Sequence, residues 1–208
     1  MTVIKPLRSC AVAILAVLCL SGCFAGRQPL ISADKADVPF ADGEKFVSFT
    51  NCASQGGQLL GCKGYKRNGS GTLSLDNGAY TVHPDPGTVP VVPGLPAAGP
   101  DMTILIKNVG GELFVAQLPL TDDTLGPSIK YIYEMLRITG HTAYVYAVLC
   151  EQNGDQAYVK SGALASISTE LMLPTCEANS LAGLAKIFKD RLDNGAVPDQ
   201  KLEIHGKG

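Results

Sequence analysis

The chain has 208 residues, with 17 Lys and Arg against 19 Asp and Glu, a formal net charge of −2. That balance excludes a broad basic stripe for nucleic acid and wide electrostatic adhesion to anionic lipid. Gly (23) and Pro (13) are frequent, Trp is absent and charged residues make up only 17%, which fits a turn-rich β protein better than a helical bundle.

The first element in chain order is a short basic segment with Lys5 and Arg8, followed by an apolar run from Ser9 to Leu20. As a helix this run would extend about 18 Å, too short for a hydrocarbon layer of roughly 30 Å. It reads as a secretory signal peptide over 1–22. The residues that close it, Leu20-Ser21-Gly22-Cys23, resemble the lipobox of bacterial lipoproteins. The resemblance implies cleavage before Cys23 and acylation of that residue, which would attach the chain to a membrane through lipid. Phe24 stands where Gram-negative inner-membrane lipoproteins often carry Asp, so the resemblance further implies the outer membrane, with the body facing the periplasm. Loss of Lys5 and Arg8 takes the net charge from −2 to −4.

Export frames the cysteines. Cys10 and Cys19 leave with the signal and Cys23 is the lipidation residue, so four remain: Cys52, Cys62, Cys150 and Cys176. An even number in an exported domain predicts two disulfides; of three possible connectivities, near neighbours favour Cys52–Cys62 and Cys150–Cys176. The spacings are not those of a metal site, and neither a metal nor a cofactor is expected.

Residues 23–43 read as a lipidated tether and entry segment. A first β hairpin region spans 44–82. Within it Asn77-Gly78 predicts a type I′ turn that sets Leu75 opposite Tyr80 and Leu73 opposite Val82. Residues 83–100 carry six prolines and read as a loop. A second β region with a C-terminal helix covers 101–195. Met102–Val109 and Glu112–Leu118 flank Gly110-Gly111, and their long apolar runs predict strands covered on both faces. Lys130–Thr139 and Thr142–Cys150 flank Gly140-His141. A helix over 129–139 also fits the apolar spacing, but the tyrosines and the Gly-His turn favour strand. Gln156–Lys160 is expected as a further short strand. Leu181, Leu184, Ala185, Phe188 and Leu192 then recur at helical spacing, capped by Asn179 or Ser180 and stopped at Asn194-Gly195. Gly183 weakens that helix by about 1 kcal/mol relative to Ala. Residues 196–208 read as a polar tail.

The predicted fold is α+β: mostly antiparallel β hairpins, as a sandwich or partly open barrel, with one amphipathic C-terminal helix. Two features in the last hairpin invite a function. Glu134 falls on its apolar face, where a charge needs a partner. The opposite face gathers Tyr131, Tyr133, Arg137, Tyr144 and Tyr146, suited either to a second core layer or to a binding surface for protein or glycan. Ser32-Ala-Asp-Lys35 matches S-x-x-K but lacks the partner motifs of penicillin-binding proteins, and Asp122-Asp123 read as solvated loop carboxylates. The expected function is therefore a lipid-anchored envelope protein that presents a disulfide-stabilised β domain for binding or scaffolding rather than catalysis. Its partners would be the membrane and an envelope protein or glycan, with no nucleic acid. Ser70-Gly71 with Ala79-Tyr80 partly resembles the Ser/Gly-rich, Tyr-ended loop of lipid-anchored lysozyme inhibitors, broken here by a hairpin. Inhibition of a secreted enzyme is the first alternative, and an envelope hydrolase acting on peptidoglycan or lipid the second.

Overall fold

A computed structural model describes residues 24–53, 63–86, 102–120, 128–168 and 174–206. Its centre is an antiparallel meander. β1 (Phe24–Gly26) precedes the run β2 (Lys45–Asn51), β3 (Tyr65–Asp76), β4 (Ala79–Pro84), β5 (Met102–Gly110), β6 (Leu113–Pro119), β7 (Tyr131–Thr139) and β8 (Thr142–Tyr146). After β8 come α1 (Gln156–Lys160), β9 (Leu164–Ser168), β10 (Thr175–Ala178), α2 (Leu181–Asp193) and β11 (Gln200–His205). β11 lies antiparallel between β8 and β2, and β6 pairs with β7, so β2 to β8 and β11 close an eight-stranded barrel. The chain is thus α+β but mostly β, and its hairpins form a barrel rather than a sandwich.

Local chemistry explains the hairpins. Asn77 and Gly78 both take positive φ, 48° and 82°, as a type I′ turn requires. The ladder sets Leu75 against Tyr80 and Leu73 against Val82, the expected register. The Gly140-His141 turn pairs Thr139 with Thr142 and Leu136 with Val145, so 131–139 is strand and not helix. β6 is buried on both sides: Ala116 and Leu118 face into the barrel, while Val115 faces outward under α2.

Four expectations are corrected. Residues 200–205, read as part of a polar tail, form β11 and seal the barrel. Gln156–Lys160 is one turn of helix, not a strand. β8 ends at Tyr146 rather than at Cys150. Phe24–Gly26, placed in a tether, forms β1, fully buried at Phe24 and Ala25. β1 takes the edge of β7 that β8 leaves, pairing Phe24 with Tyr133, and lies parallel to β10, which continues to β9.

The rest of the entry segment straps the barrel. Gln117 accepts from the backbone N–H of Leu30 and Ile31 and donates to the Ile31 carbonyl. Asp37 binds Lys107 and the Asn108 N–H. Phe40 enters the barrel interior, where its backbone both donates to and accepts from the Tyr80 hydroxyl.

α2 follows its sequence signals. Ser180 caps it by accepting from the Gly183 N–H, and Asn194 ends it. Leu184, Ile187 and Phe188 are wholly buried against the outer face of the barrel, each contributing about 1.5–3 kcal/mol. Phe188 meets Phe24 edge-on at 5.6 Å between centroids. Gly183 is there for space rather than flexibility: a β carbon would fall 2.9 Å from the Ala163 Cα and against its carbonyl oxygen.

Candidate functional site: the barrel interior

All eight barrel strands send alternate side chains inward, as the pleat dictates. The interior is divided by polarity. The strand directions put the three tight turns, at 77–78, 111–112 and 140–141, at one end; the middle one falls a residue later than the expected Gly110-Gly111, because Gly110 still pairs with Leu113 across a bulge. At that end Phe40 and Tyr80 pack at 6.1 Å between ring centroids and plug the bore. Toward the other end the wall carries three polar residues, Ser48, Glu134 and Gln200, all buried. A cavity of about 90 Å³ lies between them and the aromatic plug, walled elsewhere by apolar side chains such as Ile106, Leu118, Leu136 and Val145.

The three polar residues are not equivalent. The Ser48 hydroxyl donates to Asn68 Oδ1 at 2.7 Å, and Asn68 in turn donates to Thr50. Glu134 Oε1 and Gln200 Nε2 have no hydrogen-bond partner, and they are the only buried side-chain N or O atoms so placed among the described residues. Buried polar groups elsewhere are satisfied, Gln117 by three bonds and the Tyr80 hydroxyl by two. Buried polar atoms almost always find partners, so two orphans on one cavity single out this interior as the candidate site.

Burial, with the nearby Asp199 carboxylate adding to it, raises the Glu134 carboxyl from an ordinary 4.5 to about 8. Near neutral pH Glu134 is therefore mostly a neutral acid that both donates and accepts. Asp199 is held beside it by the Ala147 N–H at 2.7 Å. The apolar-face placement of Glu134 was legible in the sequence, opposite the residue after Tyr146 in the hairpin register. Gln200 was missed because its segment was read as tail; the alternation of Gln200, Leu202 and Ile204 was the available signal.

No family profile, no curated protein and no solved structure matches this chain.

The tyrosine face has a different part. Tyr133 and Tyr146 are 3% and 5% exposed, and with the half-buried Tyr131 and Tyr144 they pack under α2 and the β9–β10 extension. The Tyr133 hydroxyl donates to the Gln28 carbonyl, and burial pushes its pKa up to about 12. Arg137 stands outside this layer, paired with Glu112 at 3.0 Å. The four tyrosines form a second core layer, because the segment between β8 and β11 folds back over them, and Arg137 is an exposed cation at its edge.

Cys150 and Cys176 are joined in a disulfide, which ties the loop after β8 to β10. Asp155, wholly buried, completes a cluster of potential ligands with them. Their sulfurs are bonded to each other, however, and Asp155 is committed to Arg191 at 2.7 Å and to the Glu151 N–H. Cys52 is buried and disulfide-bonded. Cys62, Cys23, Asp122 and Asp123 lie outside the described residues, as does most of the Pro-rich segment, so the Cys52–Cys62 pairing and the lipidation residue are not described.

Proposed function

We propose that this chain is a lipid-anchored cell-envelope protein, held at the outer membrane through Cys23, whose barrel is a binding module rather than a catalyst. Two independent features support the reading. The sequence before Phe24 resembles a lipoprotein signal, and Phe24 itself opens β1, so an acylated Cys23 would join the fold with no spacer. The second feature carries the binding half: an apolar barrel interior that keeps a cavity of about 90 Å³ edged by unpartnered polar atoms. Eight strands make a bore just wide enough for packed side chains or one small ligand.

The anchor is tested by mass spectrometry of the mature N-terminus and by cell fractionation of the Cys23→Ser variant. Wild type should carry acyl mass on Cys23 and sediment with membranes, while the variant should be soluble after export. A variant that stays fully membrane-bound, beside a wild type without acyl mass, overturns the reading.

A further inference from the structure

The unpartnered Glu134 Oε1 and Gln200 Nε2 face one small apolar cavity, and from this we infer that the barrel binds a short neutral amphiphile, its apolar end toward Phe40 and its hydroxyl or amide head held by Glu134 and Gln200. The inference deepens the binding reading above and rests on it.

Size comes first. A cavity of about 150 Å³ accommodates benzene, so one of about 90 Å³ holds a molecule of about four non-hydrogen atoms. Polarity sets its direction. Glu134 and Gln200 lie in the half of the barrel away from the tight turns, while Phe40 and Tyr80 close the half beside them. A ligand with one polar end satisfies both halves only with its tail against the rings. The head must give as well as take. Gln200 Nε2 can only donate, whereas Glu134 Oε1 accepts when ionised and can carry the proton when neutral. A hydroxyl or primary amide accepts from the first and exchanges a hydrogen bond with the second. A charged head would be buried among Leu136, Val145 and Leu202, where an ion is disfavoured.

The test titrates 1-propanol into the purified full chain carrying Cys23→Ser, prepared without detergent so that no detergent tail competes for the barrel. The readout is the methyl NMR signals of Leu136, Val145, Leu202 and Ile204. Saturable shifts at these methyls are expected, with affinity weakened about ten-fold in the Glu134→Leu/Gln200→Leu variant, as loss of buried hydrogen bonds predicts. At pH 7, n-propylamine and propionate should bind more weakly than the alcohol. Absence of methyl shifts, which would leave ordered water as the cavity's only occupant, overturns the inference. So does equal affinity in the double variant, or tighter binding of either charged analogue. Should the double variant fail to fold, Gln200→Met alone decides: a several-fold weaker affinity supports the inference and an unchanged one overturns it. Fractionation reads the anchor separately, so failure of one reading is distinguishable from failure of the other.

Discussion

Glu134 gives the fold an unusual dependence on pH. Its carboxyl titrates near 8 in the barrel and near 4.5 when free of it. Between those values the folded chain holds a proton that the unfolded chain has released. Stability therefore falls as pH rises from about 4.5 toward 8 and levels off above, opposite to the behaviour of a salt-bridged carboxylate. At 1.36 kcal/mol per pH unit, the gap between 4.5 and about 8 corresponds to an upper limit of about 5 kcal/mol. That is a large share of the 5–15 kcal/mol typical of a domain. The perturbation is Glu134→Gln, which keeps shape and hydrogen-bonding capacity but cannot ionise. Urea denaturation of both proteins from pH 5 to 9 should show wild type losing several kcal/mol relative to the variant by pH 8. Parallel stability profiles across that range would refute the assignment of a buried, unpartnered acid.

Two further outcomes concern the outer layer. Removing the Cys150–Cys176 link, 26 residues apart in sequence, with a double Cys→Ala change should cost about 3.6 kcal/mol by the chain-entropy model, read as a lower urea midpoint. Gly183→Ala, favourable by helix propensity alone, should instead destabilise by about 1–3 kcal/mol, because the added methyl drives into the Ala163 backbone; thermal unfolding decides the sign.

The parts of this fold that were legible in the sequence are those whose causes are local. Asn77-Gly78 and Gly140-His141 impose their turns within a few residues, and each turn then fixes its strands' register; Gly110-Gly111 located the third hairpin but not its register, since Gly110 pairs with Leu113 across a bulge and the turn is 111–112. The stripe from Leu181 to Leu192 likewise announces α2 and its caps. β11 was hidden because Lys201, Glu203 and His205 outnumber its two aliphatic residues, and because its partner β2 is about 150 residues away. Gln156–Lys160 contains the strand-favouring pair Tyr158-Val159, yet a single helical turn follows Asp155, whose buried carboxylate accepts from the Glu151 N–H and pairs with Arg191. Glu134 was placed on the correct face, but its meaning needed the closed ring, since only closure turns an apolar face into a walled space. The tyrosine face was ambiguous for the same reason: whether Tyr133 and Tyr146 meet solvent or α2 depends on a segment that follows them in the chain.

The seam between β2 and β11 carries a consequence for biogenesis. Residues 45–51 leave the ribosome about 150 residues ahead of the partner that seals them. Until then β2 and β8 each present a bare row of amide and carbonyl groups, the arrangement that invites pairing with a foreign chain. Such distant pairing also forms slowly. The sheet therefore stays unzipped until β11 is made, and a holding chaperone that shields those two margins would guard the yield of the finished molecule.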